Sequence, residues 1–135
     1  MNNIDNTDTT IANTENEVTN DAVSVVNPNI NFDDFLKVKM AVGKVLSAEK
    51  LEKSPKLLKL SVDFGNTIPR QVLSGIAKTF QPEDLIGKSF VFVINLEPRQ
   101  IMGMESQAMI LAASDDQGLV LFSPTREIQS GATLG

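Results

Sequence analysis

Leu58, Leu60 and Val62 alternate with Lys59, Ser61 and Asp63, and this period of two predicts a strand with one face in a core and the other in solvent. The same alternation runs through Val38, Met40 and Val42 against Lys37, Lys39 and Ala41. Gly43 interrupts that strand, which predicts a bulge or sharp bend before it resumes at Val45 and Leu46. Lys50 to Lys56 reads as a loop, with Ser54-Pro55 as its turn. A third strand covers Arg70 to Leu73 and breaks at Ser74-Gly75. Phe90 to Ile94 is a fourth, and Ala108 to Ala113, apolar almost without a break, is a fifth. Asp115-Asp116-Gln117-Gly118 turns into a last strand, Leu119 to Phe122.

Helical signals are short. Asn31 can cap a single turn, Phe32 to Leu36, with Asp33 and Asp34 near its positive end. Pro82 to Gly87 has Pro at its first position, acids in its first turn and Gly just past its end. Five or six short strands with a helical insertion between the third and fourth predict an all-β chain, an OB-fold five-stranded barrel with short helical insertions. Residues 1–28 are rich in Asn, Thr, Asp and Glu, with no sustained apolar period and no aromatic residue. They are expected to be a disordered acidic tail or linker, because they offer too little apolar surface to offset the entropy of ordering. The domain is then 29–135.

Charge sharpens this division. All twelve Lys and Arg lie after residue 28, balanced by the twelve acids there, so the tail holds the whole net charge of −5. Within the neutral domain, seven lysines between Lys37 and Lys59 face only Glu49 and Glu52. Such a stretch attracts phosphate locally. The absence of Cys and His removes disulfides, zinc sites with those ligands, Cys nucleophiles and His-dependent triads. Ser74, Ser106 and Ser123 have no His to activate them, and there is no phosphate-cradling Gly loop. No catalytic residue, metal site or cofactor is expected. Without a signal-peptide pattern or the ~20 apolar residues of a membrane span, the expected setting is soluble and cytoplasmic.

The polar loop between the fourth and fifth strands carries Asn95, Pro98, Arg99, Gly103 and Ser106 on a rigid base, which suits a binding site. Its stretch NLEPRQIMGMESQAMILAA, Asn95 to Ala113, resembles the signature of the tRNA-binding domain at the C-terminus of many bacterial methionyl-tRNA synthetases. Free-standing tRNA-binding proteins and the endothelial monocyte-activating polypeptide II family share it. FDDFLKV from Phe32, VGKVLSAE from Val42, KLLKLSVDFG from Lys56 and RQVLSGIAK from Arg70 match in the same order, so the likeness covers roughly residues 30–135. The chain departs from the family at Leu51 to Leu57, where relatives often have His-Pro and a turn containing Asp. Here Pro55 takes the place of that Asp, beside a basic Lys53.

The resemblance implies the OB fold and structure-dependent binding to the folded body of tRNA. Carried over residue by residue, Lys56 and Arg99 would contact phosphates, with Lys53 adding charge to the same loop. Asn95 and Ser106 would hydrogen-bond phosphate or ribose, and Met109 would pack a sugar or base face. Each role has a bland counterpart. Lys56 and Arg99 fit solvated surface charges, Asn95 and Ser106 fit side chains that close the loop on backbone, and Met109, in an apolar strand, fits the core. Phe64, Phe90, Phe92 and Phe122 are expected to be core, and with no Trp or Tyr the chain lacks a platform for stacking splayed bases. Shape recognition through backbone and ribose is the better-supported mode. Expected partners are tRNA, a second copy of the chain and a methionyl-tRNA synthetase catalytic domain. Competing functions are a synthetase dimerisation module and a secretion chaperone of related fold, the latter disfavoured by the NLEPR and SQAM segments.

Overall fold

Alternation at 58–62 forms the middle of a long antiparallel hairpin. The computed structural model describes residues 28–135, so the expected tail, apart from Pro28, lies outside the described residues. A one-turn helix, α1 (Phe32–Leu36), precedes β1 (Met40–Leu51) and β2 (Ser54–Asp63), then β3 (Arg70–Ser74), helix α2 (Pro82–Leu85) and β4 (Ser89–Val93). Five short strands complete the chain: β5 (Arg99–Ile101), β6 (Met104–Ser106), β7 (Met109–Ile110), β8 (Ala112–Asp115) and β9 (Gly118–Leu121). The fold is all-β with small helical insertions. Its main sheet is antiparallel in the order β3-β2-β1-β4-β7, and β5-β6 and β8-β9 form separate two-stranded ribbons.

Leu58, Leu60, Val62, Val45 and Val72 are buried on one face of the sheet, around Phe92, which meets Phe64 edge-on with ring centroids 5.2 Å apart. Leu85 of α2 joins this core, held by a turn in which the Gln81 N–H donates to Asp84 Oδ2 at 2.8 Å. Phe64, Phe90 and Phe92 are core as expected. Phe122 is not: it lies just past β9 and is 46% exposed, its backbone carbonyl accepting from the Val91 N–H.

Local geometry departs from the sequence reading at several points. Gly43 stays in register opposite Phe90, and the bulge falls instead at Leu46, left over between the pairs Val45–Val62 and Ser47–Ser61. Gly43 answers a close approach, since a Cβ there would lie 2.5 Å from Val62 Cγ1 and 2.6 Å from Phe64 Cε1. The expected loop at 50–56 is a tight hairpin. Leu51 pairs with Ser54 around Glu52-Lys53, while Lys50 already faces Leu58, so Pro55, Lys56 and Leu57 bulge out of β2. A bulge tolerates Pro, which has no N–H to give to a ladder. It also turns the Lys56 carbonyl to the Ala77 N–H at 3.0 Å. The expected fifth strand is two strands, β7 and β8, of which only Ile110, with neighbouring Ala108, reaches the core.

The expected five-stranded barrel is not closed by a strand ladder: the main sheet ends at β3 and β7, and side chains cover the outer edge of β3. The outer edge of β3 would expose the N–H groups of Gln71 and Leu73. Gln107 Oε1 accepts the first at 2.9 Å and Ser106 Oγ the second at 3.0 Å. The Gln107 N–H donates in turn to Gln71 O at 2.8 Å. The C-terminal segment covers another edge: the Val42 N–H donates to Ala132 O, the Gly131 N–H to Val42 O and the Leu134 N–H to Met40 O. Both devices occupy backbone groups that would otherwise offer a template to another strand.

Candidate nucleic-acid interface

The stretch from Asn95 to Ser106 folds into the β5-β6 hairpin. Its turn, Met102-Gly103, has φ of 54° and 79°, the two positive values of a type I′ turn, which matches the twist of the flanking strands. The sequence reading took this segment for a loop. Its signal was a Gly at the second of two residues between Ile101 and Met104, masked by a Met at the first, since non-glycine residues seldom take positive φ.

Two hollows flank this hairpin. At its base, a cleft of about 140 Å³ is lined by Leu96, Glu97, Arg99, Ile101, Ser106 and Met109, with Leu73, Ser74, Ala108 and Ile110 behind them. At its tip, a hollow of about 200 Å³ is bordered by Met102 and Met104 on one side and Leu51, Glu52, Lys53 and Ser54 on the other. The tips of the β1-β2 and β5-β6 hairpins therefore lie side by side.

The six expected site residues divide accordingly. Arg99, Ser106 and Met109 meet at the base cleft. Lys53 is exposed at the tip hollow and Lys56 exposed on the bulge below it. Met109 is 47% exposed, so the core role expected from its apolar strand is corrected. It follows a strand period that buries Ala108 and Ile110 on the opposite side. Asn95 and Ser106 have their polar atoms engaged by the fold. Asn95 Oδ1 accepts from the Lys39 N–H at 2.9 Å and its Nδ2 donates to Lys37 O at 2.6 Å, continuing the β1-β4 pairing past the strand end. Ser106 is 7% exposed, and besides accepting from Leu73 its hydroxyl donates to Ala108 O at 3.2 Å.

Ser106→Ala leaves the Leu73 N–H buried without an acceptor, so it is expected to cost about 1–3 kcal/mol of folding stability. Urea unfolding checks this, and a loss within a few tenths would contradict the closing role.

Charge concentrates at the hairpin tips. Lys37, Lys44 and Lys59 pair with Asp34, Glu127 and Glu49 at 3.2, 3.7 and 3.4 Å. Lys50, Lys53 and Lys56 make no such pair among the described residues, which leaves three cations on one hairpin end. Arg70, given no side-chain role in the sequence reading, is a scaffold residue: its Nη1 donates to Ile94 O at 2.6 Å and its guanidinium lies 5.4 Å from the Phe64 ring centroid. Among the described residues no group of His, Cys, Asp or Glu is arranged to hold a metal, and no helix is long and apolar enough to cross a membrane.

An all-β module with a cationic hairpin end beside a small cleft is a binding module, and its family is not a catalytic one. Residues 40–133 match the tRNA binding domain family, and the chain belongs to it. The chain is 44% identical over 105 residues to the methionine–tRNA ligase of Caldanaerobacter subterraneus subsp. tengcongensis, covering 78% of this chain and 16% of that protein. It is 49% identical over 105 residues to the methionine–tRNA ligase of Methanosphaerula palustris, 78% of this chain and 15% of that one. It thus spans about a sixth of the length of these relatives. Among solved structures, the MetRS related protein from Pyrococcus horikoshii matches with a TM-score of 0.75 and 41% identity, over 81% of this chain and all of that one. The chaperone CsaA of Bacillus anthracis matches with a TM-score of 0.72 and 31% identity, over 80% of this chain and all of that one.

Proposed function

We propose that this chain binds the folded body of tRNA through phosphate and ribose contacts, as an accessory module of a methionyl-tRNA synthetase in the cytoplasm. The observation that carries the reading is the trio Lys50, Lys53 and Lys56, without an ion pair among the described residues, on the hairpin end whose Lys53 borders the β5-β6 tip, in a chain of the tRNA binding domain family. Neither hollow has an aromatic residue in its lining, which favours shape over base stacking. In this reading Lys53, Lys56 and Arg99 face phosphate and Met109 packs against a sugar. Asn95 and Ser106 hold the hairpin in place and act on RNA through it. A gel shift with folded tRNA and with unstructured RNA of equal length, at two salt concentrations, tests it. Folded tRNA is expected to bind more tightly, and equal affinity for poly-U at physiological salt would reject it.

The catalytic partner, if joined in the same chain or bound in trans, supplies the aminoacylation chemistry this domain lacks. The likeness to CsaA supports a second reading, in which the apolar base cleft holds an unfolded segment. Suppression of aggregation by the chain, undiminished in tRNA excess, would favour it.

Residues 1–28 enter as an acidic tail dispensable for folding and binding, with 29–135 as the domain. Their deletion is expected to leave the Tm nearly unchanged and tRNA affinity equal or slightly higher, since five acids without a base repel phosphate. A loss of about tenfold in a filter-binding assay would reject this.

A homodimer completes the reading, because Phe32, Phe35 and Leu36 of α1 and Val38 just after it each expose apolar surface. Light scattering at micromolar concentration is expected to give twice the chain mass; a monomer mass would reject it.

A further inference from the structure

A cleft of about 310 Å³ is bordered by Lys44 of β1, the start of β4 and the segment after β9, and none of the residues lining the two hairpin hollows lines it. Lys44, Lys88 and Arg126 line it, together with the hydroxyl-bearing Ser89 and Ser123, and the lone carboxylate in the lining is Glu127. Three cations against one anion stand out in a domain whose twelve cations and twelve acids balance overall. The register explains the grouping: Lys44 of β1 lies opposite Ser89 of β4, so one ladder position presents both to the cleft.

The engagement of these groups is light. Lys44 Nζ stands 3.7 Å from Glu127 Oε2, with the carboxylate side chain 88% exposed, and such exposed pairs contribute little. Arg126 uses Nη1 alone, on Glu127 O at 2.9 Å, and Lys88 makes no side-chain bond among the described residues. We infer that this cleft is a second phosphate site, in which an RNA backbone phosphate takes the place of the Glu127 carboxylate on Lys44 and draws in Lys88 and Arg126. The carboxylate and a phosphate oxygen present the same chemistry to an ammonium or guanidinium group, and phosphate brings more acceptors. Glu127 then acts as an internal competitor that sets how readily the site is entered. RNA bound at the hairpin tips is thereby held at a second point, which fixes its orientation as a single cationic patch cannot. The inference rests on the tRNA reading and adds a site to it.

The test measures tRNA affinity and its salt dependence for the full chain and for Lys88→Ala, Arg126→Ala and Glu127→Gln, all at exposed positions, with Tm measured for each. The two cation variants are expected to weaken binding several-fold and to lower the slope of log K against log salt by about one each. Glu127→Gln is expected to strengthen binding about two- to fivefold, a gain that misfolding cannot imitate. If wild-type protein binds tRNA and loses affinity in Lys56→Ala, yet all three variants bind like wild type, the second site is overturned and the tRNA reading stands. If wild-type protein does not bind tRNA, that reading fails and the RNA site with it. NMR titration with inorganic phosphate separates the sources of the anion. Saturable shifts at the Ser89 and Ser123 amides, with tRNA binding indifferent to the variants, would make free phosphate the ligand and overturn RNA.

Discussion

Gly131→Ala is expected to lower the Tm by about 10–20 °C, the largest effect of any single methyl added to this chain. Gly131 has φ of +91°, where an L-residue is strained by about 1–2 kcal/mol, and its added Cβ would overlap the Phe64 carbonyl oxygen. That oxygen belongs to backbone and cannot swing aside, so the C-terminal segment has to move. Movement costs the bonds from Gly131 N–H to Val42 O at 2.7 Å and from Val42 N–H to Ala132 O at 2.8 Å, and it uncovers the edge of β1. Together these place the loss at about 2–4 kcal/mol. At about 5 °C per kcal/mol for a domain slightly above 100 residues, the shift in Tm follows. Gly87→Ala is the control. Gly87 also has positive φ, +82°, but nothing lies within 4 Å of its added Cβ, so the expected cost is the strain alone. Calorimetry that found the two variants melting within a few degrees of each other would remove the covering role of the C-terminal segment.

The largest functional effect is expected from removing the cations at the hairpins together. The triple variant Lys53→Ala, Lys56→Ala, Arg99→Ala should bind tRNA about a hundredfold more weakly near physiological salt. Its slope of log K against log salt should be shallower by about three, with each single variant contributing about one. Different tRNAs should lose affinity about equally, because phosphates carry no sequence information. All three side chains are exposed, so the Tm should stay close to wild type. Losses that depended on the base sequence of the tRNA, or a slope unchanged in the triple variant, would show that these residues do not grip backbone.

Much of the fold was legible because it rests on local rules. The alternation at Leu58, Leu60 and Val62 put all three in the core, since strand side chains alternate faces wherever the strand lies. Pro82 and Gly87 bracketed α2 because each restricts or frees φ in its own residue. Composition excluded Cys and His chemistry outright, and five ordered segments identified the family. Lys53 and Arg99 could be nominated from sequence because an exposed charge in a loop needs no partner to be recognised.

What the sequence left open depended on pairs of residues far apart in the chain. Ser106 was a candidate RNA contact in a polar loop, yet its side chain and that of Gln107 cover the sheet edge at Leu73 and Gln71, 33 and 36 residues earlier. A hydroxyl's role is set by which backbone N–H the fold brings to it, and no local pattern carries that. The bulges at Leu46 and at Pro55–Leu57 arose from matching two strands of unequal length, a property of the pair. Met109 and Phe122 were exposed because burial depends on what covers a strand, and a uniformly apolar stretch does not say which face is covered. The meeting of Lys44, Lys88 and Arg126 at one cleft was likewise invisible in the chain, where 82 residues separate the first from the last. Residue type and period determined the strands, the core side of β2 and the family. Only the tertiary structure decided which polar groups the backbone had already claimed and which remained for a ligand.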